Sequence, residues 1–352
     1  MTTYLVAGGC GFIGSNFVYF VRHHDPESRI VVVDNLSFAS NPENLEPLKG
    51  SVELVVADIC ELEMMLRVYR HFRPDYVINF AAESHNDRAI LDPNSFARTN
   101  ALGAQVLLEA SRSFPPRRHL HVSTIEVYGE LPEDQTFFTE ASPLNAKTPY
   151  SAAKAAGDLF VRAYMHTYRD LDLALTHCAN NYGPFQFPEK LIPLAISNVL
   201  RGKKVPIYGD GLQRRDWLHV RDHCAALWAV LHAPRKPYDP ASAYFPERLP
   251  IFDISARDER TNLEIVELIL KELGLEPKDW IEHVPDRPNH DRRYLINPGK
   301  LERELGWKPT VPFEAGLAET VRWYVEHRDW WERILERTGS LQFDWARRAG
   351  SP

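Results

Sequence analysis

Residues 8–14 read Gly8-Gly9-Cys10-Gly11-Phe12-Ile13-Gly14, between a short apolar run, Tyr4 to Ala7, and a stretch of helical periodicity, Ile13 to His23. Three glycines at that spacing narrow what such a chain can fold into. Gly8 and Gly11 permit a tight turn and close approach of the backbone to a pyrophosphate, Gly14 lets helix and strand pack closely, and the helix N-terminus favours negative charge. Strand, loop and helix in this order predict the opening unit of a dinucleotide-binding sheet.

The residues that follow keep an α/β rhythm. Runs rich in Val and Ile predict strands at Ile30 to Val33, Val52 to Val56, Tyr76 to Phe80, His119 to Ser123 and Leu173 to Cys178, several of them buried and parallel. Helical periodicity predicts connections at Glu61 to Phe72, Ser95 to Ser113 and Ser151 to Tyr168. The expected fold class is α/β, a doubly wound parallel sheet of Rossmann type with a smaller mixed α/β substrate domain. After Asn181 the texture changes, with Pro184, Pro188, Pro193, Pro206 and the turn Tyr208-Gly209-Asp210-Gly211. Residues 1–180 are therefore expected to bind a dinucleotide and residues 181–352 a substrate, although segments near 216–234 and 250–256 are able to pack back on the first domain. A final helix is expected from Glu314 to Trp331, and its aromatic stripe, Trp323, Tyr324, Trp330 and Trp331, reads as core or subunit contact.

A length of 352 residues favours two lobes with a cleft, a common ligand site. The formal charge of -7 and the lack of a sustained basic run argue against nucleic acid. No apolar stretch approaches a membrane span and no signal-peptide pattern opens the chain, so a cytoplasmic enzyme is expected. Cys10, Cys60, Cys178 and Cys224 are scattered and read as reduced thiols. His85, His177, His219 and His223 lack acidic or histidine partners at ligand spacing, so no metal is assigned.

Asp34 ends the second predicted strand, where a carboxylate accepts hydrogen bonds from ribose hydroxyls and repels a 2'-phosphate. Asn35 follows it where an arginine would favour NADP, so NAD is the expected cofactor. Asp58-Ile59, after the third strand, is placed to reach the adenine edge. Ser123-Thr124 closes a later strand, and Tyr150-Ser151-Ala152-Ala153-Lys154 opens a helix on which Tyr150 and Lys154 share a face. The Lys154 ammonium and a nearby nicotinamide cation are expected to depress the Tyr150 phenol and make it a base for oxidising an alcohol.

With those residues in place, the chain resembles the extended short-chain dehydrogenase/reductases and within them the dTDP-glucose 4,6-dehydratase family. The resemblance is carried by Ala81-Ala82-Glu83-Ser84-His85-Asn86-Asp87-Arg88, Asn180-Asn181-Tyr182-Gly183-Pro184, Pro188-Glu189-Lys190-Leu191-Ile192-Pro193, Tyr208-Gly209-Asp210-Gly211, Arg215-Asp216-Trp217 and Asp286-Arg287-Pro288-Asn289-His290-Asp291. It implies a tightly bound, recycled NAD touched further by Phe12, Ile13, Leu36, Ser37, Phe80, Ala81, Ala82, Ser84, Thr99 and Asn181, with Asn100 supporting the wall. It also implies a nucleotide diphosphate sugar held by Ser84, Thr124, Ile125, Glu126, Tyr150, Asn180, Asn181, Lys190, Leu191, Pro206, Ile207, Tyr208, Arg215, Asn262, Arg287 and His290. Arg215, Arg287 and Lys190 supply the fixed positive charge that a diphosphate requires. A homodimer built on the helices Ser95 to Ser113 and Ser151 to Tyr168 is a further implication of the resemblance.

The implied reaction oxidises carbon 4 of the hexose, eliminates water across carbons 5 and 6, and returns the hydride to carbon 6, with Thr124, Glu126, Tyr150 and Lys154 as catalytic residues. Here the sequence departs from its relatives. The family pattern Asp-Glu-Val-Tyr-Gly, with Asp as acid and Glu as base, reads Ile125-Glu126-Val127-Tyr128-Gly129. An isoleucine cannot donate a proton, and general acid assistance is worth roughly 10²- to 10⁴-fold. A dehydratase that is slower or differently tuned is the leading expectation. A nucleotide-glucuronate decarboxylase, in which no hydroxyl needs protonating, a 4-epimerase and a binding-only homologue stand as alternatives. Phe38-Ala39-Ser40 replaces the family's Tyr-Ala-Gly, and Cys10 fills a small space in the glycine loop.

Overall fold

In the computed structural model, which describes residues 1–338, seven strands form one parallel sheet. They are β1 (Thr3–Ala7), β2 (Arg29–Asp34), β3 (Val52–Val56), β4 (Tyr76–Asn79), β5 (Arg118–Thr124), β6 (Leu173–Cys178) and β10 (Ile251–Ile254), between which come the short β7 (Asn180–Tyr182), β8 (Val205–Tyr208) and β9 (Arg214–His219). The order is β10-β6-β5-β4-β1-β2-β3. The chain builds outwards from β1 through β2 to β3 and then crosses over to β4 on the other side. That reversal opens a crevice beyond the carboxyl ends of β1 and β4, where such sheets take their ligands.

β1, β5 and β6 are buried along their whole length, as strands covered on both faces are, although β5 reads Arg118-His119-Leu120-His121-Val122-Ser123-Thr124. β3 is not among the buried strands. It pairs with β2 alone, and as the edge of the sheet it leaves Leu54 and Val56 exposed.

Two small sheets stand apart from this layer. β9 lies between β7 and β11 (Glu259–Thr261), while β8 pairs in parallel with β12 (Ile281–Val284). Their core gathers Val205 from β8 with Ile192, Ile196, Ile269, Phe313, Tyr324 and Trp331 from helices Leu191–Leu200, Asn262–Glu272, Phe313–Glu326 and Arg328–Thr338. The chain nevertheless returns to the first layer. β10 hydrogen-bonds to β6, and helix Val220–His232 sends Cys224, Leu227 and Val230 into the core that holds Tyr4, Val6 and Ile30.

Two helices differ from the periodicity. The stretch expected as one helix from Ser95 to Ser113 is Pro93–Phe96, a π-helical Ala97–Gly103 and then Ala104–Ser113. The wider turn accommodates helix Pro149–Thr167, whose Gly157 approaches so closely that an added Cβ would stand 2.5 Å from the Asn100 carbonyl. The terminal helix breaks at His327, because only a change of direction brings Trp330 and Trp331 inward. Their indole N–H groups then donate to Asn44 Oδ1 and to the Tyr324 carbonyl, both at 2.9 Å. Residues 339–352 of the expected substrate domain lie outside the described residues.

Candidate active site

The glycine loop forms one wall of an inner cavity. Gly8 has φ +76, and a Cβ there would stand 2.5 Å from the Ala81 amide nitrogen. Gly14 packs so closely that a Cβ would meet the Gly8 carbonyl at 2.2 Å. Helix Phe12–His24 starts at Gly11 with no side-chain cap, which leaves first-turn N–H groups for an anion. Asp34 is buried at the end of β2 and lines the same cavity. Its Oδ2 accepts the Cys10 amide at 3.0 Å, and its Oδ1 accepts the Leu36 amide at 2.9 Å and Ser40 Oγ at 2.8 Å. The carboxylate thus ties loop to strand while keeping lone pairs for ribose hydroxyls.

Of the residues expected around the cofactor, Gly8, Gly11, Phe12, Ile13, Gly14, Asp34, Asn35, Ser37, Ile59, Phe80, Ala81, Ala82, Ser84, Thr99, Tyr150, Lys154 and Asn181 line this cavity. Leu36 and Asp58 do not. Leu36 takes φ +55 to turn its amide back onto Asp34, and its side chain is partly exposed. Asp58 pairs with Arg98 Nη2 at 2.8 Å and accepts the Cys60 amide at 2.9 Å. Asn100 clamps the opposite wall, donating to the Glu83 carbonyl and accepting its amide, each at 2.9 Å.

β5 delivers Thr124, which accepts the Glu126 amide at 3.3 Å and so caps a turn of 3-10 helix, Ile125–Tyr128. Helix Pro149–Thr167 starts with Pro149 behind a capping box. The Thr148 hydroxyl accepts the Ser151 amide and the Ser151 hydroxyl accepts the Thr148 amide. This fixes Tyr150 and Lys154 one turn apart, both buried, with Thr124, Ile125 and Glu126 on the same cavity wall. Lys154 Nζ donates to the Val122 carbonyl at 2.8 Å.

Burial opposes ionisation of the phenol. Burial, followed by the Glu126 carboxylate, pushes Tyr150 well above its ordinary range, and a hydrogen bond with Thr124 offsets them only in part. Burial likewise lowers Lys154, against the pull of Asp158. A nicotinamide ring bound against these walls would bring an opposing positive charge.

A second cavity of about 650 Å³ adjoins the first. Glu126, Asn180, Asn181, Gln186, Glu189 and Lys190 line both, which marks the junction where cofactor and substrate would meet. Leu191, Pro206, Ile207, Tyr208, Arg215, Asn262, Arg287 and His290 line the outer cavity, as expected of a sugar nucleotide site. Arg215 is buried over the Tyr294 ring at 4.5 Å and donates to the Asp291 carbonyl at 2.8 Å. Arg287 pairs with Asp87 at 3.1 Å, and Lys190 Nζ donates to the Ser84 carbonyl at 2.6 Å. Burial and these two guanidinium groups hold His290 at about 4, although Asp286 accepts from it at 2.6 Å.

Sequence reasoning missed Asn86, Asp87, Gln186, Glu189 and Tyr294. Four of them lie in or near the blocks quoted above, but only tertiary contact shows their roles. Asn86 Nδ2 donates to Glu126 Oε2 at 2.9 Å, and Thr148 Oγ1 donates to Asn86 Oδ1 at 3.1 Å. Asp87 holds Arg287 and also accepts from the Tyr208 hydroxyl at 3.3 Å.

A glycine cradle with an acidic strand end, joined to Thr124, Glu126, Tyr150 and Lys154, defines a dinucleotide-dependent extended short-chain dehydrogenase/reductase. The comparisons go further. Residues 5–320 match the family model described as GDP-mannose 4,6 dehydratase. The chain is 45% identical to a dTDP-glucose 4,6-dehydratase of Streptomyces niveus, covering 96% of this chain and 97% of that one. The crystal structure of the dTDP-glucose 4,6-dehydratase of Streptomyces venezuelae with NAD bound is 42% identical and has a TM-score of 0.87, covering 95% of this chain and all of that one. A UDP-glucose 4-epimerase of Thermotoga maritima is 28% identical with a TM-score of 0.82, over 92% of this chain and 99% of that one. The chain belongs to the dTDP-glucose 4,6-dehydratase family, within the wider GDP-mannose 4,6 dehydratase-like group.

Proposed function

We propose that this protein is an NAD-dependent dTDP-glucose 4,6-dehydratase. The observation that carries the reading is the junction of the two cavities, where Glu126 faces both and Tyr150, Lys154 and Thr124 stand on the inner wall. NAD bound in the glycine cradle would take the hydride from carbon 4 and later return it to carbon 6. Gly8, Gly11 and Gly14 would let its pyrophosphate sit on the helix N-terminus, and Asp34 would hold a ribose. Tyr150, brought into range by the cofactor's charge, would take the carbon 4 hydroxyl proton with Thr124 orienting that hydroxyl. Glu126 would remove the proton on carbon 5, which the carbon 4 ketone acidifies. Arg215, Arg287 and Lys190 would hold the diphosphate.

Residues 1–180 as cofactor domain and 181–352 as sugar domain belong to the same reading. A homodimer is also part of it, supported by Leu159 and Phe160, which stand exposed on helix Pro149–Thr167. Four free, buried thiols support a cytoplasmic setting.

Ile125 is buried among Val127, Tyr128, Phe138 and Tyr294, and it gives the elimination step no proton. The test is incubation of the purified protein with dTDP-glucose and, separately, UDP-glucuronate, followed by product mass. Loss of water from dTDP-glucose is the expected result. Loss of carbon dioxide from the glucuronate would make it a decarboxylase, unchanged mass with inversion at carbon 4 an epimerase, and no turnover a binding protein. In a parent with no other acid at this step, Ile125→Asp would speed water loss by about tenfold or more, because a buried carboxyl there would stay protonated.

A further inference from the structure

We propose that Glu189 is the acid that protonates the departing carbon 6 hydroxyl. The assignment rests on the dehydratase reading and supplies the group that reading lacks. Elimination needs a proton donor near carbon 6, beside the base Glu126, and therefore at the junction of the two cavities.

The protonatable side chains around that junction can be taken in turn. Tyr150 serves carbon 4. Lys154 is committed to the Val122 carbonyl and Lys190 to the Ser84 carbonyl. Burial raises the Cys178 thiol to about 12, and burial with Lys190 and Arg287 keeps His85 neutral. Glu126 is oriented by Asn86 as the base. Glu189 is left.

It sits in the turn that leads into helix Leu191–Leu200, lines both cavities, and its side chain is only 2% exposed. Oε2 has no hydrogen-bond partner among the described residues and lies 3.8 Å from His85 Nε2. A buried carboxyl with an unpartnered oxygen, on a residue that lines both cavities, holds its proton for want of solvent. Lys190 beside it and Arg88 on helix Asn86–Leu91 favour the anion, while Glu83 and Asp87 oppose it. Burial decides the balance and raises Glu189 to about 7. The neighbouring His85 stays neutral, so no imidazolium forces Glu189 to ionise. Two carboxyls in differently arranged surroundings, one oriented by an amide donor and one buried and unpartnered, divide the roles of base and acid.

In the elimination, Glu126 takes the proton from carbon 5, and the C–H electron pair becomes the double bond between carbons 5 and 6. The bond from carbon 6 to oxygen breaks, and the leaving hydroxide takes the Glu189 proton to become water. The proton that Tyr150 took earlier from the carbon 4 hydroxyl restores Glu189 through solvent, while Glu126 returns its own to carbon 5. One turnover consumes no net proton.

The test uses the intact NAD-loaded protein and its Glu189→Gln and Glu189→Asp variants with dTDP-glucose. Three quantities are followed separately: carbon 4 oxidation by NADH absorbance, exchange of the carbon 5 proton with deuterated water, and loss of water by mass. Glu189→Gln should keep the first two within about threefold and slow the third by roughly 10²- to 10⁴-fold, with partial rescue in Glu189→Asp. Water loss by the parent should fall as pH rises through about 7, where Glu189 ionises, and the residual rate of Glu189→Gln should lack that fall. Water loss in Glu189→Gln within about threefold of the parent overturns the assignment. So does a parallel fall of oxidation and water loss, which would make Glu189 a sugar-binding group. A parent that oxidises carbon 4 yet releases no water sinks the dehydratase reading itself, and the assignment with it.

Discussion

Asn86 stands between Glu126 and Thr148, with its amide nitrogen on one and its amide oxygen on the other, so turning the group over would set oxygen against the Glu126 carboxylate and break that contact. It therefore fixes where the Glu126 carboxylate points. Asn86→Leu should cost a hydrogen bond to a charged group, about 1.5–3 kcal/mol, and slow carbon 5 proton exchange by roughly 10- to 100-fold. Carbon 4 oxidation should change far less, and deuterium exchange against NADH formation separates the two. Gly14 offers a harsher test. A Cβ there would meet the Gly8 carbonyl at 2.2 Å, so Gly14→Ala should open the loop and reduce retention of NAD through purification, measured as cofactor bound per chain. The glycine was legible in the sequence because its spacing states its function. Asn86 was not, since its two partners stand 40 and 62 residues away.

At the scale of elements, the helix that carries Tyr150 and Lys154 shows how local signals and close packing combine. Its start was legible to within two residues from Tyr150-Ser151, and the capping box accounts for the sharpness of that end. Its approach to the π-helical turn Ala97–Gly103 was not legible. Periodicity in that stretch runs on without a break, and only Gly157 against the Asn100 carbonyl explains why the turn widens. Gly157→Ala should destabilise the protein by about 1–3 kcal/mol, read as a lower unfolding midpoint, and should weaken NAD binding because Asn100 also clamps Glu83. The terminal helix makes the same point. Trp330 and Trp331 were expected inside or at a subunit contact, but the bend at His327 that turns them in depends on the indole partners Asn44 and Tyr324.

Across the whole molecule, His177 on β6 joins three elements. Nε2 faces Asp158 on the Tyr150 helix at 3.2 Å and Nδ1 faces Asp253 on β10 at 3.1 Å, while the Tyr128 hydroxyl also donates to Asp253. Burial opposes a charge on the ring, but the two carboxylates prevail and raise it to about 9. A group raised on folding contributes stability fully below its unfolded value near 6.5 and loses it as pH rises through the folded value. The free energy of unfolding should therefore drop between pH 6.5 and 9, by something on the order of 3 kcal/mol, and His177→Gln should flatten that drop. Denaturant titrations at several pH values measure both. The sequence by itself determined the parallel sheet, the glycine cradle, the acidic strand end and the Tyr150 and Lys154 pair, because each depends on spacing within a few turns of chain. Only the tertiary structure decided that Glu126 and Glu189 share one junction, that Asp58 pairs with Arg98, and that burial raises the Tyr150 phenol. Those outcomes depend on burial and on partners distant along the chain, and neither is written in local spacing.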